Sequence, residues 1–332
     1  MLPAPSRIGR RHALRAGAAL AVVLGMLLWW LLPLGDPAPK GSLSFSTGVR
    51  SGVYQRYGER LKGALATDLP HVSIKLQTSE GSQQNLARVA AGEADFTIAT
   101  TDAVATYLRD RKPGYRRLRG CVRLYDDYIQ LIVKRDSDIR SVADLRGRRV
   151  AVGQPGSGVK LVADRLMTAA GLDPVHDVTP LPVGIDTMPR LLEEGKLDAF
   201  FWSGGLPTTA VADLSERFSI RLVPLEEPLI KQLQSAGGST RYYRSAVMPA
   251  DAYRNAQQGQ AVPTVAVANV LVTTDRTDAA MTEAFTRTVI DSRDRIGREV
   301  HAAQLVDLRT AIYTDPLPLH EGAKRYYRSV KP

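Results

Sequence analysis

Cysteine is almost absent from this 332-residue chain, and Cys121 alone cannot form an intramolecular disulfide or a cysteine-based zinc site. Histidine is scarce as well. His12, His71, His176, His301 and His320 stand far apart, none at metal spacing and none beside a plausible nucleophile, so all five read as structural or exposed. There is no Gly-x-Ser-x-Gly elbow, because Gly156-Ser157-Gly158 lacks the spacing. The run 153–160 has glycine and lysine but not the Gly-Lys-Ser/Thr ending that holds phosphate and magnesium. Together these absences argue against hydrolase, metalloenzyme and nucleotide-hydrolysing chemistry, and no cofactor is expected. No acid precedes Asp36, and 16–35 has no charged side chain at all.

What is present fits a globular α/β protein, with 44% hydrophobic residues, 27 glycines and 20 prolines. The net charge of +10 is concentrated in clusters, Arg7-Arg10-Arg11-Arg15 and Arg109-Arg111-Lys112-Arg116-Arg117-Arg119. The second cluster reads as a solvated loop, and no nucleic-acid partner is expected. The basic head followed by the uncharged run 16–35 is long enough, at ~20 residues, to cross a hydrocarbon core as a helix. By the positive-inside rule the remainder would lie outside the cytoplasmic membrane. Asp36-Pro37-Ala38-Pro39 makes a poor cleavage site, which favours an uncleaved anchor over a removed signal peptide.

Beyond a proline-rich linker the pattern alternates. Strands are expected at 43–47, 72–78, 96–99, 118–124, 128–133, 149–152, 178–182, 199–202, 220–223 and 262–273, and helices at 54–67, 83–91, 159–170, 188–194 and 278–298. This is the rhythm of parallel sheets covered by helices. It suggests a head, anchor and linker over 1–40, one lobe from 41–134 plus 242–332, and a second from 135–241. Ligands of such sheets bind at the carboxyl ends of the strands, and two lobes bring those ends face to face across a cleft.

Three turns share one chemistry: 47–54, 78–85 and 153–158 each leave a strand and open a helix with glycines and hydroxyls. Any one of them is ordinary capping chemistry, and their recurrence is what points to a cleft. Phe200-Phe201-Trp202 before Ser203-Gly204-Gly205 could be core or the apolar wall of a pocket. Asp126 and Asp127 could meet a ligand amine, although a solvated turn between two strands is the simpler reading.

Several segments, in order from about 43 to 329, resemble one known family. They are Ser46-Thr47-Gly48, Gly52-Val53-Tyr54, Gly81-Ser82-x-x-Asn85-Leu86, Gly92-Glu93-Ala94-Asp95, the run 141–150, Gly156-Ser157-Gly158, Asp198-Ala199-Phe200-Phe201, Gly205-Leu206-Pro207-Thr208, the run 262–267, and Pro318-Leu319-His320-x-Gly322-Ala323-x-x-Tyr326-Tyr327. The set is similar to the TAXI solute-binding receptors of tripartite ATP-independent periplasmic (TRAP) transporters. The resemblance implies a type II periplasmic-binding-protein fold and a cleft that closes on glutamate, glutamine or a related dicarboxylate and passes it to an ion-driven, multi-spanning TRAP permease. It implies ligand contacts at Thr47, Gly48, Ser51, Gly52, Tyr54, Gly81, Ser82, Asn85, Thr101 and Asp102, and in the second lobe at Ser157, Gly158, Trp202, Gly205 and Thr208. The chain departs from the family pattern at Gly52-Val53-Tyr54-Gln55, where Gly-Thr-Tyr-Tyr is common, and at Asp126-Asp127, where the hinge commonly has Pro-Glu-Pro. An ABC-importer receptor, a tethered sensor and an enzyme on the same scaffold are the competing readings.

Overall fold

A computed structural model describes residues 9–31 and 39–330, and it divides into two units, Met1–Ala38 and Pro39–Pro332. The first holds one helix, α1 (Arg10–Leu31), whose described apolar side chains, among them Leu20, Val22 and Met26, are exposed. Among the described residues no helix is long and apolar enough to cross a membrane. The span expected over 16–35 lies partly outside the described residues, which leave out 32–38.

The second unit is built on one ten-stranded sheet. Its elements run β1 (Gly41–Ser46), α2 (Val53–Asp68), β2 (Val72–Gln77), α3 (Ser82–Ala91), β3 (Phe96–Thr100), α4 (Thr101–Arg109), β4 (Leu118–Lys134), β5 (Arg149–Ala151), α5 (Gly158–Ala169), β6 (Thr179–Leu181), α6 (Met188–Glu193) and β7 (Ala199–Gly204). They continue as α7 (Thr209–Arg217), β8 (Ile220–Val223), α8 (Glu227–Ser235), β9 (Tyr243–Met248), α9 (Arg254–Gln257), β10 (Val262–Thr274), α10 (Ala279–Asp291), α11 (Arg293–Gly297) and α12 (Glu321–Val330). The main path is β2-β1-β3-β10-β4-β7-β5-β6, with β8 beside β4 and β9 beside β10.

The topology has two matching halves. β2, β1 and β3 are parallel and bordered by antiparallel β10; β6, β5 and β7 are parallel and bordered by antiparallel β4. Helices cover these sheets because parallel strands need crossovers. Each half has its own apolar core. Phe45, Phe96, Tyr125 and Phe285 belong to the core of the first, and Ile129, Leu166, Phe201 and Val267 to that of the second. β4 leaves one core at Tyr125 and enters the other at Ile129, while β10 makes the reverse passage between Val267 and Leu271.

Two expectations are corrected. Asp126 and Asp127 do not separate two strands: β4 runs unbroken through them. The reason is that both acids are satisfied in place, Asp126 by Arg123 and Arg244 and Asp127 by side-chain donors described below. The helix expected over 278–298 breaks at Ser292 into α10 and α11.

Candidate functional site

The parallel strands of both halves end at one cavity of about 560 Å³ of empty space, counted to its open mouth. The first half contributes Gly48, Val49, Gly52, Val53 and Tyr54 after β1, Glu80, Gly81 and Ser82 after β2, and Thr100 at the end of β3. The second contributes Gly153, Gln154, Ser157 and Gly158 after β5, Gly184 and Met188 before and within α6, and Trp202, Ser203 and Gly204 at the end of β7; Asp127 on β4 completes the wall. The N-termini of α2, α3 and α5 thus come to the same space, where free backbone N–H groups favour acceptors.

The loops are built for close approach. Gly153 has φ +85°, and a Cβ there would come within 2.9 Å of both the Lys160 nitrogen and Ser157 Oγ. At Gly158 a Cβ would lie 3.2 Å from Ser82 Oγ, so the absent side chain lets the two halves meet. They are also joined directly. Gln84 N donates to the Gly156 carbonyl at 3.0 Å, Gln83 Nε2 donates to that of Ser157 at 2.7 Å, Ser51 donates to Asp186, and Arg56 donates to Thr209.

A hydrogen-bonded chain crosses the cavity wall. Asn269 Nδ2 donates to Asp127 Oδ1 at 2.7 Å and Ser203 Oγ to Asp127 Oδ2 at 3.2 Å. Tyr54 Oη donates to Asn269 Oδ1 and lies 3.2 Å from Ser82 Oγ, which accepts from Thr100 N at 3.2 Å. Burial is the main cause that pushes the Asp127 carboxyl up to about 7; the bonds from Asn269 and Ser203 pull against it, and the charges of Asp126 and Asp102 add to the rise. Burial and the Asp127 charge hold the Tyr54 hydroxyl well above its ordinary value.

Of the residues that the TAXI resemblance implies, Gly48, Gly52, Tyr54, Gly81, Ser82, Ser157, Gly158 and Trp202 line this cavity. Seven do not. Thr47 donates to the Gln77 carbonyl at 3.0 Å, and Ser51 is engaged with Asp186. Asn85 is buried and saturated: Ser46 and Ser79 donate to its oxygen at 2.7 Å, while its nitrogen donates to the carbonyls of Thr47 and Ile98. Thr101 and Asp102 are buried at the start of α4. Asp102 accepts from Arg165 Nη1 at 3.0 Å and Tyr243 Oη at 2.6 Å, forming a buried ion pair between α4 and α5. Gly205 faces a neighbouring cavity with Arg56 and His301, and Thr208 accepts from Trp202 Nε1 at 2.9 Å.

The wall also holds Glu80, Gln154 and Met188, which reading the sequence did not select, and Asp127, for which the sequence leaves both a ligand contact and a solvated turn open. Asp127 had a signal. Between Tyr125 and Ile129 the strand alternates strictly, with 125, 127 and 129 buried and 126 and 128 half-buried, which puts this acid on an inward position. Arg50, in the turn after β1, is exposed and not part of the wall.

The family model for NMT1-like proteins matches residues 45–330. The chain belongs to the NMT1-like family. Its fold is that of the periplasmic binding proteins, as the type II expectation held. A Bordetella bronchiseptica RB50 protein superposes with TM-score 0.52 at 15% identity, over 88% of this chain and 99% of its own. An ancestral arginine-binding protein bound to arginine gives 0.50 at 14%, over 78% and 98%. A Listeria monocytogenes protein described as an L-cystine ABC transporter gives 0.50 at 13%, over 80% and 98%. At these identities the likeness concerns the fold alone.

Proposed function

We propose that this NMT1-like protein is an extracytoplasmic solute receptor, not an enzyme, whose halves close on a small polar solute and deliver it to the multi-spanning permease of a TRAP-type transporter. The observation that carries the reading is the convergence of loops from both halves on one cavity, with direct hydrogen bonds between its walls. The halves move about β4 and β10 where these strands pass between the cores, between Tyr125 and Ile129 and between Val267 and Leu271. The ordered motifs shared with TAXI receptors support the TRAP assignment. The basic head and the uncharged run 16–35 support export and tethering at the outer face of the cytoplasmic membrane.

A second reading, an ABC-importer receptor, is favoured by the fold shared with the Listeria protein. A thermal-shift screen of the full chain against amino acids, amines and dicarboxylates tests the receptor reading, since a ligand of the folded state raises Tm. A solute-specific rise is expected, and a flat response across the screen would remove the reading. Uptake by membrane vesicles then separates the transporters: an ion gradient should suffice for a TRAP system, whereas dependence on ATP would favour the ABC one.

A further inference from the structure

Among the described residues, Asp127 and Glu80 are the only charged side chains on the cavity wall, which carries no arginine, lysine or histidine. Asp127 is 3% exposed, and each of its oxygens is met by a neutral donor, the Asn269 amide or the Ser203 hydroxyl. Glu80 has one carboxylate oxygen, Oε2, that is buried and meets no hydrogen-bond donor. The contrast with Asp102 is instructive, because that equally buried acid is neutralised by Arg165. A carboxylate taken out of water without a counter-charge is costly, and so is a buried polar atom left without a partner.

We propose, on the basis of the receptor reading, that the solute is a small organic cation, an amine whose ammonium group is held by Asp127 and Glu80. An ammonium brings both things this wall lacks: a positive charge for Asp127 and N–H donors for the open oxygen of Glu80. Trp202 and Tyr54, on the same wall, are aromatic residues of the kind that attract cations. A dicarboxylate finds the reverse, two carboxylates of its own sign and no cationic clamp. A carboxylate elsewhere on the amine is compatible, since helix N-termini also reach the cavity.

The test is calorimetric titration of the full chain with putrescine, lysine, glutamine, glutamate, succinate and magnesium chloride. Putrescine or lysine should bind tightest, glutamine more weakly, and glutamate and succinate not measurably. Asp127→Asn should weaken amine binding by at least ~10-fold and Glu80→Gln by a smaller factor, with neither variant melting below the wild type. Binding of succinate or glutamate without the amines overturns the cation assignment and leaves the receptor reading standing. Binding of magnesium alone, or amine binding indifferent to both substitutions, also overturns it. Silence of every probe removes the receptor reading with it.

Discussion

Asn269 presents its amide nitrogen to Asp127 at 2.7 Å and accepts the Tyr54 hydroxyl on its carbonyl oxygen, which fixes the buried carboxylate where β4 and β10 pass between the two cores. Asp127 lies opposite Val267 in the ladder of these strands. The acid therefore sits on the line about which the halves would move.

Holding Asp127 there has a pH-dependent cost. Its carboxyl rises from 3.8 to about 7 on folding, so between those values the native state binds a proton that the unfolded chain releases. Stability without solute should fall as pH rises through that window and reach its full loss, ~4 kcal/mol, above about pH 7. Asp127→Asn should accordingly raise Tm at pH 8 and have little effect at pH 4. Urea unfolding across this range measures the difference, and equal effects at both ends would contradict it.

Binding should show the opposite trend. Below about pH 7 an ammonium must displace a proton from Asp127, so amine affinity should rise with pH, by up to ~10-fold per unit, and level off above 7. Tyr54, held well above its ordinary value, stays neutral throughout and does not contribute. Titrations at pH 5.5, 6.5 and 7.5 test this, and an affinity falling with pH would point to an anionic solute.

Ser157 has a second role. Its hydroxyl accepts from Lys160 N at 3.0 Å and donates to the Gln154 carbonyl at 2.7 Å, capping α5. Ser157→Ala should lower stability by ~1 kcal/mol as well as weaken binding. Ser82→Ala should likewise weaken binding and cost stability, because the buried Ser82 hydroxyl accepts from Thr100 N at 3.2 Å and its loss leaves that N–H unpaired. Chemical denaturation paired with calorimetry separates the two effects.

The ion pair of Arg165 with Asp102 joins α5 to α4. Arg165→Met should destabilise by ~3–5 kcal/mol because it leaves a buried charge with Tyr243 as its remaining partner, and adding Asp102→Asn should recover part of the loss. A double-mutant cycle in urea gives the coupling, and additive losses would show that the pair acts as two independent groups.

Much of the architecture was legible because hydrophobic period and glycine-rich turns act locally. The turns at 47–54, 78–85 and 153–158 do approach one another, as their shared chemistry suggested. Asn85, Asp102 and Thr208 look the same in sequence as cavity residues, yet Asn85 and Asp102 are consumed by partners far along the chain, and the Thr208 hydroxyl by Trp202 and Gly205 in its own turn. Asp127 reads more simply as a solvated turn than as a ligand contact for the converse reason. A pair of acids reads as a break in a strand, and only the distant Asn269 and Ser203 make one of them tolerable inside.

The position of β10 has a consequence for how the chain matures. This strand lies at the middle of the sheet, between β3 and β4, yet it is the last strand to be synthesised. A growing chain holds β3 and β4 without the neighbour that joins them, so neither core can be finished until the C-terminal third has emerged. Such late, long-range pairing makes folding slow. It would leave the nascent chain open, and threadable through a translocation pore, for most of its synthesis.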